Sequence, residues 1–293
     1  LQDLSEKYNL LQSAMASSER VFRLLDTEVS VPEPAVPQRL PTEVRGEVVF
    51  ENVWFRYAPD GPWILKDVSF TASPGRTVAL VGHTGAGKTT IISLLLRFYD
   101  PDRGRIMVDG VDVRDLDTGT LRGLIGFVQQ DLFLFTGDIL HNLTLDAPVS
   151  RQDAELAAER VGADRFIGRL PSGYGHVLGE RGRSLSVGER QLLSFARALA
   201  LNPRILVLDE ATSSVDTESE AVIQEAIAEL MLGRTNIVVA HRLSTILHAN
   251  EILVLHHGEI RERGAHRELL GRDGLYRRLY QLQLSGQQVA RSA

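Results

Sequence analysis

The stretch Gly82-His83-Thr84-Gly85-Ala86-Gly87-Lys88-Thr89 constrains this chain more than any other. An apolar run, TVALVG (77–82), leads into it, and TTIISLLLRFY (89–99) follows with the pattern of a helix. A buried strand, a glycine-rich turn and a helix N-terminus are the context in which GxxxxGK[ST] cradles phosphate. Glycines let the backbone wrap closely so that its N–H groups point inward, and the helix aims the positive end of its dipole at the anion. On this reading Gly82, His83, Thr84, Gly85, Ala86 and Gly87 line the phosphates. Lys88 supplies a cation for the terminal ones, and Thr89, assisted by Thr90, offers a hydroxyl to Mg²⁺. The alternative is a glycine-rich turn that happens to precede a lysine.

Further short apolar runs alternate with helical patterns. LIGFVQQ (124–130), RILVLDE (204–210) and TNIVVAH (235–241) read as strands. RQDAELAAERV (151–161), GERQLLSFARALAL (188–201) and ESEAVIQEAIAELML (218–232) read as helices. This alternation predicts an α/β fold with a mostly parallel central sheet. Val48, Phe50, Val53, Phe55 and Tyr57 suggest β-structure in which Trp54 breaks strict alternation, and residues 249–264 suggest a hairpin turning at His257-Gly258.

The run ILVLDE places Asp209 and Glu210 at the carboxyl end of a buried strand, the edge where ligands bind in open α/β sheets. Asp209 suits holding Mg²⁺ through a water, and Glu210 suits orienting or deprotonating an attacking water. Two neighbouring acids would equally suit capping the next helix. His241 ends the following strand, where it suits a phosphate contact or an ordinary polar strand end.

With these residues in hand, the chain resembles the ATP-binding-cassette ATPases, specifically the nucleotide-binding domain of an exporter. LSVGERQ (185–191) resembles the family signature LSGGQ, with Val187 for the first glycine, Glu189 for glutamine, and Ser186 and Gly188 kept. The resemblance implies that this segment contacts the γ-phosphate of ATP held by a second subunit. It also implies that Tyr57, 25 residues before Gly82, stacks on adenine. Gln130 would touch Mg²⁺ and water and sense the transport domain, although Gln129 stands where proline is usual. SSVD (213–216) would cross the dimer interface, with Asp216 as its acid, and His241 would be the switch histidine. GERG (179–182) resembles a segment characteristic of exporters. The resemblance spans about residues 46 to 284. It implies a P-loop NTPase core with a mostly parallel sheet, an antiparallel β subdomain, and a helical subdomain at about 131–200 that carries the signature.

The organisation expected is a cytoplasmic extension of a missing transmembrane helix (1–27), a linker (28–44), the ATPase domain (45–284) and a flexible tail (285–293). Leu1, Leu4, Tyr8, Leu11, Met15, Phe22 and Leu25 recur at helical spacing, which favours a helix packed on neighbouring helices. Pro32, Pro34, Pro37 and Pro41 make the linker extended. The first residue is Leu1, which together with that helix suggests a fragment of a longer, membrane-bound protein at the cytoplasmic face. The cofactors implied are ATP and Mg²⁺. The partners are a second nucleotide-binding domain, identical or not, and a transmembrane domain.

Composition sets limits. A formal net charge of -6 argues against a dedicated nucleic-acid binder, and the lack of cysteine excludes disulfides and thiolate metal sites. A soluble cassette ATPase of DNA repair or translation would call for coiled-coil inserts, tandem cassettes or a basic face. A P-loop kinase needs no signature or switch histidine, and Glu210 argues against a regulator that binds ATP without turnover. His176, His248, His256, His257 and His266 lack supporting cysteines or acids and read as surface or local polar contacts. The arginine-rich segment from residue 261 reads as a solvated amphipathic helix.

Overall fold

The computed structural model describes residues 2–27, 29, 31–129, 132–209, 217–240 and 246–292, without the side chains of residues 2, 217–219, 283 and 285–292. The chain forms two units, Leu1–Pro32 and Glu33–Ala293. In the first, α1 (Gln2–Leu25) is supported by the ion pairs Asp3–Lys7 and Glu19–Arg23 at i,i+4. Its apolar seam of Leu4, Tyr8, Leu11, Met15, Phe22 and Leu25 is exposed.

In chain order the second unit comprises β1 (Val48–Phe55), β2 (Leu65–Ala72), β3 (Thr77–Val81), α2 (Lys88–Leu95), β4 (Arg103–Val108), β5 (Val111–Asp112), α3 (Thr118–Gly123) and β6 (Ile125–Val128). There follow β7 (Gly137–Asp138), α4 (Ile139–Thr144), α5 (Arg151–Arg160), α6 (Asp164–Ile167), β8 (Val177–Leu178), α7 (Val187–Ala200) and β9 (Ile205–Asp209). The last elements are α8 (Thr217–Met231), β10 (Thr235–Val239), β11 (Glu251–His256), β12 (Glu259–Gly264), α9 (His266–Gly271) and α10 (Leu275–Ser292).

The central sheet has the order β12-β11-β3-β10-β9-β6. Every pair from β11 to β6 is parallel, and only β12 runs antiparallel, as the partner of β11 in the hairpin. The expected mostly parallel sheet is therefore present. A second sheet, β2-β1-β4-β5, is wholly antiparallel.

The central strands read as unbroken apolar runs because both of their faces are covered. On β9, Ile205 and Val207 join Phe50, Leu80, Ile91, Leu94 and Leu95 in the core under the antiparallel sheet. Leu206 and Leu208 face the other way, onto Leu193, Phe195 and Ala196 of α7 and Ile223 and Leu230 of α8. A third core sets Ala79, Val81, Ile252 and Val254 against Leu269 and Tyr276.

Three features differ from the sequence reading or refine it. On β1, Asn52 has φ +48 and the register shifts between Phe50 and Val53. This bulge resets the alternation, so Val48 and Phe50, then Val53 and Phe55, are buried while Trp54 is not. The arginine-rich C-terminal segment is not simply solvated. Leu269 and Tyr276 are fully buried, because one face of each of α9 and α10 closes the third core. The segment expected as a flexible tail continues α10 as helix to Ser292. Within the Pro-rich stretch, Gln38 N–H donates to the Asp115 carbonyl at 2.8 Å, Glu33 accepts from Thr118, and Leu40 packs on the first core.

Candidate nucleotide site

The loop between β3 and α2 is shaped by close approach. A Cβ on Gly82 would run into the Leu255 carbonyl oxygen, and one on Gly87 would lie 2.6 Å from Leu65 Cδ2. Gly85 and Gly87 have φ +79 and +103, which other residues adopt only with strain. Ala86 is fully buried, and its N–H donates to the His83 carbonyl at 3.1 Å, closing the turn. His83, Thr84, Gly85 and Thr89 are exposed along the rim. The first amides of α2 have no acceptor inside the helix, so they are available to an anion at its N-terminus.

Lys88 is 7% exposed, and its ammonium donates to the Gly82 and His83 carbonyls at 2.7 and 3.0 Å. Burial pushes its pKa below the ordinary lysine value, and the Asp209 carboxylate opposes that shift. A charge taken out of water and held mainly by neutral carbonyls is under-compensated, so an incoming phosphate would stabilise it. The same interaction shows that Asp209, at the end of β9, lies close enough to act on the loop lysine. The cradle, the lysine and the exposed Thr89 hydroxyl suit a Mg²⁺-triphosphate chemically.

Tyr57 is half-exposed and stands edge-on to Phe55 and Tyr99, with centroids at 4.9 and 5.2 Å. Its hydroxyl shares a 3.0 Å hydrogen bond with Thr90 Oγ1. That bond ties the aromatic to the loop helix and engages Thr90, the residue read as assisting Thr89 at Mg²⁺. Trp54 and Trp63 form a separate edge-on pair, with Arg56 and Arg103 over the Trp63 ring.

The signature segment opens α7. Ser186 is its N-cap: Glu189 N–H donates to Ser186 Oγ at 3.2 Å, and Ser186 N–H donates to the Glu189 carboxylate at 2.9 Å. This reciprocal box accepts Glu189 as it would the glutamine usual at this position. Ser186 and Val187 are exposed and Gly188 is buried. The hydroxyl accepts in the cap and keeps its own proton to donate. Ser186, Gly188 and Glu189 also border a hollow of about 220 Å³ with Arg165, Arg169 and Phe166.

Gln130, Glu210, Ser213 to Asp216 and His241 lie outside the described residues. The strands that precede three of them in the chain are described: β6 ends at Val128, β9 at Asp209 and β10 at Val239, adjacent in one sheet.

The sequence reading missed the support beneath the segment after Gln130. Asn142 is fully buried and donates to the Phe135 and Asp138 carbonyls while accepting from Phe135 N–H at 2.9 Å. Arg197 donates to the Asn142 and Phe133 carbonyls at 2.7 and 3.0 Å, and burial pushes its pKa down to about 10. Its signal in the sequence was an arginine among the apolar positions of α7.

The fold and loop define a P-loop nucleotide-binding domain. A sequence profile of the ABC transporter family matches residues 65–213. The chain is 48% identical over 277 residues to a fatty acid ABC transporter ATP-binding/permease protein of Mycobacterium tuberculosis, covering 94% of this chain and 43% of that protein. It is 45% identical over 288 residues to an ATP-dependent lipid A-core flippase of Haemophilus influenzae, covering 98% of this chain and 49% of that protein. A solved bacterial Atm1-family ABC exporter with ATP bound superposes with a TM-score of 0.82 at 42% identity, over 94% of this chain and 48% of that one. The chain belongs to the ABC transporter family and is an ATP-binding, ATP-hydrolysing domain of it. It spans less than half the length of the curated relatives it matches. No helix among the described residues is long and apolar enough to cross a membrane.

Proposed function

We propose that this domain powers an exporter, working head to tail with a second such domain beneath a transmembrane domain at the cytoplasmic face of a membrane. What carries this reading is the division of the chemistry between two anion sites, each open on one side. The loop around Lys88 holds a buried, under-compensated ammonium. The capped start of α7 exposes a serine hydroxyl with its proton free. A loop alone leaves the γ-phosphate open to water on one side. Ser186 and Gly188 of a second subunit, with Val187 and Glu189 shaping the helix start, would close it.

In this scheme Lys88 and the loop amides hold the β- and γ-phosphates, and Tyr57 presents its ring to adenine. Thr89, Gln130 and Asp209 would hold Mg²⁺, with Thr90 fixed by Tyr57 behind them. The ion would neutralise charge that develops on the phosphate oxygens. Glu210 orients the attacking water and receives its proton, and His241 contacts the γ-phosphate. Loss of the bridging charge on hydrolysis favours the open pair, and that difference between states can do work on a transport domain. The exposed Phe133 and Phe135, edge-on at 4.9 Å just after Gln130, suit contact with such a domain.

The test is Glu210→Gln, assayed for nucleotide binding, phosphate release and size in ATP. The variant should bind ATP, lose about 10²-fold or more of turnover, and run as a dimer. Wild-type turnover would remove Glu210 from this role, and a monomer at all ATP concentrations would remove the paired arrangement.

A further inference from the structure

His83, in the phosphate loop, lies beside the turn of the β11–β12 hairpin, which carries His256 and His257. One ring nitrogen from each lies within 4.8 Å of the others. His83 Nε2 is 3.2 Å from His256 Nδ1, and the His256 and His257 ring centroids are 4.2 Å apart. We propose that His83, His256 and His257 bind a divalent transition-metal ion of the zinc, nickel and copper class.

The tautomer supports this. His83 Nδ1 is 2.8 Å from the Thr84 carbonyl oxygen, which can only accept. Nδ1 therefore carries the proton, and Nε2 keeps its lone pair directed at His256. Metal-ligating histidines are held in the same way, with the second ring nitrogen donating to a backbone carbonyl. The spacing also agrees, since two nitrogens bound tetrahedrally to zinc at about 2.0–2.1 Å are separated by about 3.3–3.4 Å. Three imidazoles without a carboxylate select against Mg²⁺ and Ca²⁺, which require oxygen ligands.

The hairpin fixes the two ligands it contributes. His257 and Gly258 have φ +49 and +82, the signs of a type I′ turn, and histidine is one of the few residues tolerated there. The Lys66 N–H donates to the Gly258 carbonyl at 2.8 Å, and a Cβ on Gly258 would collide with the Ile64 carbonyl oxygen, so the turn is pressed against β2. A bound ion would fasten the phosphate loop to this hairpin. The site uses side chains, whereas the nucleotide is held by the loop's amides and Lys88.

The test uses the metal-stripped 293-residue chain without nucleotide, because a triphosphate would itself chelate the ion. Zn²⁺ is titrated by calorimetry and Co²⁺ by visible absorption, alongside His256→Gln, His257→Asn and His141→Gln. Asparagine at 257 keeps a residue that tolerates the turn. Expected are equimolar binding, a strong four-coordinate Co²⁺ band, and a rise in melting temperature with Zn²⁺. His256→Gln and His257→Asn should each weaken binding by about 10-fold or more, whereas His141→Gln should not. Absence of binding, or affinities unchanged in both cluster variants, would overturn the proposal and leave a hydrogen-bonded trio of imidazoles.

Discussion

Replacing Ser186 separates the capping role of its hydroxyl from the phosphate contact proposed for the same group. As the N-cap of α7 it accepts from Glu189 N–H at 3.2 Å, while its own N–H is held by the Glu189 carboxylate at 2.9 Å. Ser186→Ala removes the first bond, at a cost of about 1 kcal/mol. For a domain of this size that is a fall of about 2–4 °C in melting temperature. If the same hydroxyl donates to a γ-phosphate, its loss costs a further 1.5–3 kcal/mol or so in the transition state, the range for a bond to a charged group. Hydrolysis should then fall by about 10- to 150-fold. Ser186→Asp discriminates between the roles, because aspartate caps as well as serine but presents a negative acceptor to the phosphate. It should melt like wild type yet hydrolyse no faster than the alanine variant, as read by calorimetry and phosphate release. Mixing Ser186→Ala with Lys88→Ala at equal concentration tests action across the pair. Half of the dimers would be mixed, each with one intact site, restoring about a quarter of wild-type activity in a two-fold arrangement. Wild-type hydrolysis by Ser186→Asp, or mixtures no more active than either parent, would refute the reasoning.

Three other outcomes are expected. Lys88→Met should abolish the thermal stabilisation by ATP, about 2.7 kcal/mol for wild type at 100-fold over Kd, because it removes the loop ammonium that donates to the Gly82 and His83 carbonyls and would meet the phosphates. Arg197→Met leaves the carbonyls of Phe133 and Asn142 without their donor and should cost about 2–4 kcal/mol in a denaturant melt. Burial pushes the Tyr276 hydroxyl up to about 12, while the unfolded chain loses that proton near pH 10. The folded state therefore holds the extra proton, and stability present below pH 10 should fall by about 2–3 kcal/mol as pH rises toward 12. Tyr276→Phe should flatten that slope in melts across the range.

The parallel strands and the phosphate loop were legible in the sequence because their causes are local. Val78 to Val81 and Ile205 to Leu208 are apolar without interruption since both faces of the sheet are covered, and the glycines before Lys88 answer to a loop that must curl on itself. The capping box could be read off Ser186 and Glu189 for the same reason. What the sequence left open depends on residues far apart in the chain. The phase of β1 was obscured by a bulge at Asn52, whose stability comes from partners on β2 and β4. Arg197 reads as one arginine on a helix until the fold carries Asn142 and Phe133 to it, and Tyr276 reads as part of a wet tail until the third core closes over it. His83 lies 173 residues from His256, and only the parallel pairing of β11 with β3 sets their rings side by side. Local chemistry marks out the loop expected to bind phosphate. Long-range packing, whose favourable contacts come from distant segments with no periodic trace of one another, decided which side chains surround it.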